Sequence, residues 1–329
     1  MNFVYNNFFP ICFTLCRFDR NQVNSFFQWF TIILAAGIVS SCIAEYVLEN
    51  YYGNYINKWK LEINYNHNYI LYLVHSVSER IDFHHIYLSF YCFIGVVLGT
   101  HLLIKNKIEN HWTRIILIVS VVFLFLFSIL LISRMTLICY TILLISIGVF
   151  QYHKVNVRLV GIVILTVLVG VVIYVSKNTL HKRFSAITKD PRIELWRRSF
   201  DIISEKWVLG YGTEKGKSLL KLQQQNENNL VIYNNSHNQY MDYFLYGGIV
   251  SLLTFLIINV RLFYVFFSNK NYLATSIHLF FLVQLLTESL LNRYRGIVMY
   301  ALLLTLFYSK NYGSQDPYPI DKMKTTPSS

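Results

Sequence analysis

The chain of 329 residues is 54% hydrophobic, and only 14% of its residues are charged. That composition holds more apolar side chains than the core of one soluble domain can bury, which excludes an ordinary water-soluble protein. The net charge of +12 could indicate a nucleic-acid partner, but Lys and Arg lie between the apolar runs and form no single solvated stripe, so no nucleic acid is expected. We therefore expect an integral membrane protein.

The N-terminal segment is apolar, but its arginines, Arg17 and Arg20, follow the apolar part, and no cleavage site of small residues is present. This order is not that of a signal peptide and indicates an interfacial or re-entrant lead-in. Apolar runs near the ~20 residues that cross a bilayer follow. The eight predicted helices cover about 27–48, 83–104, 114–133, 135–153, 157–176, 239–267, 272–292 and 296–310.

The distribution of Lys and Arg predicts the orientation of these helices. The basic connections 105–114, 154–158 and 268–271 fall on one side if the helices alternate, and that side should be cytoplasmic. The outer side then holds the turn Ser133-Arg134 and one large loop. The expected fold is an all-α polytopic membrane protein with four parts. They are 1–176 with about five helices, the outer loop 177–238, 239–310 with about three helices, and the tail 311–329, predicted to be cytoplasmic and disordered.

The outer loop is basic and is predicted to contain an amphipathic helix. Asp190 before Pro191 is typical of a helix start, and Ile193, Trp196, Phe200 and Ile203 recur at helical spacing, which predicts a helix over 191–205. This helix could place Arg192, and one or both of Arg197 and Arg198, near lipid headgroups. The loop has eleven Lys and Arg against six Asp and Glu. It is either a solvated basic surface or a surface that attracts an acidic, phosphorylated ligand.

Two charged residues interrupt apolar runs. Arg134 lies within almost forty apolar residues, where an arginine costs about 2.5–3.5 kcal/mol on insertion scales. It is either a topological anchor or a partner for an anion. Glu288 lies near the outer end of its predicted helix and is expected to pair with Arg293, Arg295 or Arg134, as a structural ion pair or in a site.

The cysteines and histidines give no clear metal site. The five cysteines lie in apolar segments with no C-x-x-C spacing, so they are expected to be buried without function. Asp82, His84 and His85 could chelate a metal, but consecutive histidines before an apolar helix more often form a polar entry or the wall of an acceptor site. We expect no metal and no cofactor.

Several short motifs resemble those of the O-antigen ligase and O-antigen polymerase family of bacterial membrane glycosyltransferases. The resemblance covers about 83–310 and rests on the order of the motifs. They are F-H-H-I-Y-L-S-F-Y (83–91), S-R (133–134), R-x-x-x-W (192–196), W-x-L-G-x-G (207–212), H-N-Q-Y (237–240), Y-G-G-I (246–249) and T-E-S-L-L-N-R-Y-R-G (287–296). The chain departs from the family at the N-terminus, since family members usually have more helices in total than the eight counted in this chain.

The resemblance implies a protein of the bacterial inner membrane that works at the periplasmic face. It would transfer a glycan from undecaprenyl diphosphate to an acceptor hydroxyl, on another glycan or on the lipid A core. His237 is implied as the catalytic histidine, and Arg134 and Arg192 as residues that grip the diphosphate. The remaining residues implied to bind substrate are Arg197, Asn238, Glu288 and Arg293.

General chemistry agrees with these roles. Arginines can hold an anionic leaving group without a metal. A histidine with an ordinary pKa near ~6.5 can accept the proton of an attacking hydroxyl at neutral pH. Attack opposite the leaving group predicts inversion at the anomeric carbon. His237 could otherwise be a hydrogen-bond donor to substrate or a helix-entry residue without chemistry.

Other functions stay open at this point. The compact basic loop favours a polymerase of O-antigen or capsule repeat units slightly over a ligase, and a chain-length regulator would be a further partner besides membrane lipids. A flippase would use intramembrane charges along a substrate path, but the repeated halves and interrupted helices typical of transporters are not found. A non-catalytic scaffold would tolerate replacement of His237.

Overall fold

The fold is helical throughout the part of the chain that the computed structural model describes, which is residues 20–52, 76–78, 84–131, 140, 191–225 and 235–308. No strand occurs in these residues, as predicted for an all-α protein. In chain order the helices are α1 (Arg20–Tyr52), α2 (His85–Ile104), α3 (His111–Leu130), α4 (Pro191–Glu205), α5 (Thr213–Gln225), α6 (Gln239–Ser268), α7 (Tyr272–Gln284), a 3-10 helix (Leu290–Asn292) and α8 (Tyr294–Tyr308).

Membrane-spanning helices account for most of this architecture. Four of the described helices, α1, α2, α3 and α6, are long and apolar enough to cross a bilayer, and α7 and α8 are shorter apolar helices. The protein is therefore a membrane protein, as its composition predicts. The predicted helices at 135–153 and 157–176 and the tail 311–329 lie outside the described residues, so the total of eight helices and their orientation stay predictions.

The apolar run at 272–292 was predicted as one helix, and this prediction is wrong. Helix α7 ends early, and the chain turns irregularly before the 3-10 helix. Backbone groups in this turn bond to the start of α6 in place of their own helix. The carbonyl of Leu285 accepts from the amide of Gln239 at 2.9 Å, and the amide of Leu291 donates to the Gln239 side chain at 2.8 Å. The interruption leaves Glu288 outside any helix.

The first three helices pack closely, with α2 against both α1 and α3. Gly95 and Gly99 of α2 lie four residues apart and so on one face of the helix. A Cβ atom on Gly99 would lie 2.5 Å from Val121 of α3 and 3.1 Å from Thr31 of α1. The Thr31 hydroxyl donates to the carbonyl of Gly95 at 3.1 Å. Small residues at this spacing let membrane helices approach closely where lipid provides no hydrophobic drive between them.

Side chains also connect α2 to the C-terminal helices. Phe93 stacks on Phe280 of α7 with ring centroids 3.8 Å apart. The hydroxyl of Tyr91 donates to the carbonyl of Arg295 in α8 at 3.0 Å. These contacts hold the beginning of α2 beside the segment that follows α7.

Helix α6 bends sharply at Gly248. This glycine has φ of 64° and ψ of −164°, a combination that essentially only glycine adopts. The rings of Tyr243 and Phe255, on either side of the bend, have centroids 4.6 Å apart. A straight helix would separate the Cα atoms of these two residues by about 18 Å. The first limb of α6 (residues 239–247) therefore folds back against the second limb (residues 249–268).

A turn between α4 and α5, here called the glycine turn (residues 206–212), covers this bend. Backbone groups at the bend lack their helical partners and need others. Three backbone hydrogen bonds from the glycine turn provide them. They run from the Tyr211 amide to the Leu245 carbonyl at 3.0 Å, from the Gly212 amide to the Tyr246 carbonyl at 2.8 Å, and from the Ile249 amide to the Trp207 carbonyl at 2.8 Å. The W-x-L-G-x-G and Y-G-G-I motifs are thus two halves of one contact.

Two glycines permit the close approach. A Cβ atom on Gly248 would lie 2.1 Å from the carbonyl oxygen of Val208. One on Gly210, whose φ is 65°, would lie 2.6 Å from the amide nitrogen of Gly248. Both distances are far inside van der Waals contact. Any other residue at either position would move the glycine turn away from α6.

The amphipathic helix predicted over 191–205 is confirmed as α4, but its buried face differs from the predicted stripe. Ile193 and Phe200 are exposed. The buried side chains form a second, smaller core with α5 and the first limb of α6. Its members are Leu195, Ile202, Ile203, Leu220 and Leu245. The spacing of apolar residues predicted an apolar stripe on α4, but the positions of α5 and α6 determine which face of α4 is buried.

Replacement of Gly248 by alanine is expected to destabilise the protein by more than about 3 kcal/mol. The backbone conformation alone costs a non-glycine residue about 1–3 kcal/mol, and the new methyl group would collide with the carbonyl of Val208. The measurement is the Tm of the purified protein in detergent.

The matched control is Gly37→Ala in α1, where nothing lies within 4 Å of the added Cβ atom. Alanine at that position is expected to be neutral or stabilising by up to about 1 kcal/mol. Similar losses for both variants would contradict the role given to the bend.

Candidate active site

One carboxylate joins a guanidinium and an imidazole from distant parts of the chain. Nη2 of Arg192, in the first turn of α4, lies 2.7 Å from Oε1 of Glu288. Nδ1 of His237 lies 3.3 Å from Oε2 of the same carboxylate. The Glu288 side chain is 7% exposed, whereas those of Arg192 and His237 are 33% and 27% exposed. A nearly buried anion thus holds two groups that can still meet a ligand.

These partners of Glu288 differ from the predicted ones. Arg293 and Arg295 are near Glu288 in the chain, but in the described residues its carboxylate contacts Arg192 and His237, while the third predicted partner, Arg134, lies outside those residues. The early end of α7 explains the difference. Because residues 285–292 bond to the beginning of α6, Glu288 lies beside the turn that contains His237 and not on a helix surface facing its own neighbours in sequence.

The R-x-x-x-W motif connects α4 both to Glu288 and to the turn that contains His237. Arg192 and Trp196 lie four residues apart and therefore on one face of α4. While Arg192 contacts Glu288, the indole Nε1 of Trp196 donates to the carbonyl of Ser236 at 2.9 Å. Ser236 directly precedes His237. One helix face thus fixes the distance between the histidine and the carboxylate.

The turn that contains His237 is held by a buried aspartate. His237 has φ of 51°, a left-handed conformation that costs a non-glycine residue about 1–2 kcal/mol. Asp242 is fully buried and accepts from the amide and hydroxyl of Ser236 at 3.0 and 2.6 Å. It also accepts from Nδ2 of Asn292 at 2.6 Å. The sequence reasoning missed Asp242, although an acidic residue inside an apolar helix is itself a signal.

A second histidine, His84, lies close to the same cluster at the beginning of α2. Loss of hydration lowers the pKa of His84, which the negative charge of Glu288 opposes. The positive charges of Arg293 and Arg192 and the ring of His237 lower it further. His84 is therefore neutral at neutral pH and adds a hydrogen-bonding group to the site. Whether the His84 segment forms a polar entry or the wall of an acceptor site stays a prediction.

Comparison with known families matches the middle of the chain. Residues 119–256 match the O-antigen ligase family. The match confirms the resemblance read from the motifs and supports an enzyme of the membrane glycosyltransferase type, with an O-antigen ligase or polymerase function in general terms. No curated protein matches the chain.

The O-antigen ligase match includes some of the site and not all of it. Arg192, His237 and the bend of α6 lie within residues 119–256, while His84 and Glu288 lie outside them. The folded chain brings these parts together. In the folded chain, His84 and Glu288, which the family match does not contain, therefore lie beside His237 and Arg192, which it does contain.

The other predicted site residues have different surroundings. Arg134 lies outside the described residues. Arg197 is exposed on α4, and Arg198 is buried and pairs with Glu194 at 3.2 Å. Arg293 lies over the ring of Tyr87 with its guanidinium carbon 5.5 Å from the centroid. Arg192 is thus the predicted arginine that the described structure joins to the histidine.

Asn238 has a structural part in the site. Its side-chain oxygen accepts from the amides of Tyr240 and Met241 at 3.0 and 3.2 Å, as the N-cap of α6. The cap fixes the first limb of α6 directly after His237. The H-N-Q-Y motif therefore combines a histidine, a helix cap and Gln239, whose side chain bonds to residues 291 and 292.

Two polar side chains beside Glu288 are buried without hydrogen bonds. Both amide atoms of Gln284 and the hydroxyl of Ser289 have no partner in the described part of the chain. Such groups cost about 1–3 kcal/mol each when left unsatisfied. Within the same residues, no three His, Cys, Asp or Glu side chains are arranged to hold a metal ion.

Asp242→Asn is expected to destabilise the protein by about 2–3 kcal/mol and to reduce ordering of the His237 turn. The amide would remove the charge and place N–H groups against the donors of Ser236 and Asn292. The measurement is the Tm in detergent, together with protease protection of the 235–238 turn. Asp201→Asn, at an exposed position of α4, serves as the control and should stay within about 0.5 kcal/mol of the wild type.

Proposed function

We propose that the protein transfers a glycan from undecaprenyl diphosphate to an acceptor hydroxyl at the periplasmic face of the bacterial inner membrane. The observation that supports this proposal most strongly is the bridge formed by Glu288 between His237 and Arg192. It brings an imidazole and a guanidinium against one carboxylate, and the proposed reaction needs a base and a cation. The match to the O-antigen ligase family supports the same class of reaction.

His237 is the general base of the proposed reaction. A contact from its Nδ1–H to Glu288 assigns the other ring nitrogen, Nε2, as the acceptor for the hydroxyl proton. As the proton arrives, the ring becomes positive and the nearby carboxylate stabilises that charge. Glu288 is then a positioning residue for His237, in addition to its predicted part in the substrate site.

Arg192 stabilises the leaving diphosphate. The acceptor oxygen attacks the anomeric carbon, the bond from that carbon to the diphosphate oxygen breaks, and its electron pair leaves with the diphosphate. The guanidinium has N–H donors in a fixed plane, which suits two phosphate oxygens. Arg293 and Arg134 are further candidates for binding the negative charge of the leaving diphosphate. Attack from the face opposite the leaving group inverts the configuration, and no step in this scheme needs a metal.

The unsatisfied polar groups near Glu288 suit a glycan. A sugar offers hydroxyls that both donate and accept hydrogen bonds, and these would satisfy the amide of Gln284 and the hydroxyl of Ser289. His84 and the Tyr87–Arg293 pair lie near the same carboxylate, where they would contact the acceptor or the donor sugar. Between the two subtypes we favour a polymerase of surface polysaccharide repeat units, on the basis of the compact, basic loop.

His237→Ala is expected to lower glycan transfer by about 100-fold to 10,000-fold, since a general base contributes that much to such a step. Glu288→Gln should lower it as well, and the double variant should lose little more than His237→Ala, because the two side chains act as a unit. Transfer is measured with purified protein in nanodiscs, a lipid-linked repeat unit and an acceptor.

The matched control is His111→Ala, at an exposed histidine that begins α3, beyond the opposite end of α2 from His84. Transfer by this variant should equal that of the wild type. Each variant is first shown to have the wild-type Tm. If His237→Ala still gives the normal ladder of polysaccharide lengths in cells, the general-base assignment fails.

Deletion of the gene should separate the two subtypes. Loss of a polymerase leaves single repeat units on the outer-membrane anchor, while loss of a ligase leaves long chains on carrier lipid. We expect the first pattern, read on a gel of surface polysaccharide. Restoration by the wild-type chain and by His111→Ala, but not by His237→Ala, would connect the phenotype to the site. Long chains on carrier lipid would instead identify a ligase.

A further inference from the structure

The first part of the glycine turn exposes three consecutive apolar residues. Trp207, Val208 and Leu209 are 54%, 45% and 69% exposed. Single exposed apolar residues are common on protein surfaces, but a continuous group of them usually marks an interface. The carbonyl of Val208 lies against Gly248, so the group cannot retreat into the protein without breaking the contact at the bend. These three residues are called the apolar turn below.

The position of the apolar turn along the membrane follows from the length of α6. The second limb, residues 249–268, has twenty residues and is about 30 Å long, which equals the thickness of the bilayer hydrocarbon. Lys270 follows its end at one border. Ile249, whose amide donates to the carbonyl of Trp207 at 2.8 Å, then lies at the other border. The apolar turn is therefore level with the edge of the hydrocarbon.

The exposed surface of the second limb continues from the apolar turn. Apolar residues recur on it at intervals of three and four, which puts them on one face of the helix. These residues and their exposed fractions are Val250 at 55%, Leu253 at 48%, Ile257 at 66%, Val260 at 66% and Tyr264 at 69%. In a membrane protein such a face contacts lipid tails, and the apolar turn lies at its upper end.

The residues of the turn also have the chemistry of a membrane border. Tryptophan is enriched at the level of the headgroups because its ring is apolar and its N–H is polar. Lys206 precedes Trp207, is exposed, and lies with Nζ 5.7 Å from the centroid of the Tyr211 ring. A lysine next to inserted apolar residues suits the phosphate of a lipid headgroup.

We propose that the apolar turn is a membrane anchor that inserts into the phospholipids of the outer leaflet. The occupant is bilayer phospholipid, because the turn is bonded to Ile249 at the start of the limb of α6 whose exposed side chains are apolar. The anchor sets the height of the candidate site, since α4 runs directly from Arg192 to the glycine turn and the glycine turn is fixed to α6 by backbone hydrogen bonds. A substrate bound to a membrane lipid needs a site at a defined height.

Fluorescence quenching by lipid tests the anchor. The full-length protein is reconstituted into nanodiscs of phosphatidylcholine brominated near the glycerol end of the acyl chain, with no carrier lipid present. Trp207→Phe should remove a distinct part of the tryptophan emission that this lipid quenches. Trp196→Phe is the control. The indole of Trp196 donates to the carbonyl of Ser236 inside the protein, so its replacement should leave the quenched part of the emission unchanged.

A second arm uses a charge. Leu209→Asp should shift the emission of Trp207 to longer wavelength by drawing the turn into water, while Leu222→Asp, at an exposed position of α5, should not. An unchanged quenched part in Trp207→Phe would overturn the proposal. Quenching that appears only after a polyprenyl phosphate is added would also overturn it and would assign the surface to the tail of the carrier lipid. These readouts do not depend on glycan transfer.

Discussion

The bend of α6 at Gly248 is the constraint on which the other parts of the site depend. Without it, a helix of this length would place its N-terminus far above α7, and His237 could not reach Glu288. The bend breaks helical hydrogen bonds. The glycine turn can replace them only because the two residues at the contact, Gly210 and Gly248, have no Cβ atom. The backbone conformation of one residue thus determines where the histidine lies.

A second effect follows from the same contact. The glycine turn directly continues α4, so fixing the turn to the bend also fixes the first turn of α4, which contains Arg192. Trp196 and Asp242 then hold the intervening chain by polar contacts. His237 and Arg192, the base and the cation of the proposed reaction, lie on the turn before α6 and on α4, and Glu288 between them comes from the segment after α7. Catalytic groups on such a frame need little movement to meet a substrate.

The sequence predicted much of the fold and part of the site. Long apolar runs predicted α1, α2, α3 and α6, because each reports a length that a membrane requires. The end of α7 could not be predicted from composition. The backbone groups of Leu285 and Leu291 bond to Gln239 instead of continuing the helix, and this long-range contact leaves no signal in the apolar run. The partners of Glu288 were missed for the same reason. The motifs identified His237 and Arg192 as candidate site residues whose roles stay predictions, whereas the positions of Asp242 and His84 depend on contacts between segments far apart in the chain.

The shared carboxylate also determines which anions the site can retain. Arg192 already has a negative partner at 2.7 Å, so an arriving anion must compete with a charge that is held in place. A singly charged ion such as chloride or acetate offers no more charge than Glu288 and gains little by replacing it. A diphosphate brings several charges and can occupy the guanidinium from two oxygens at once. In the proposed reaction, the ion pair between Arg192 and Glu288 would therefore favour a diphosphate over small, singly charged anions.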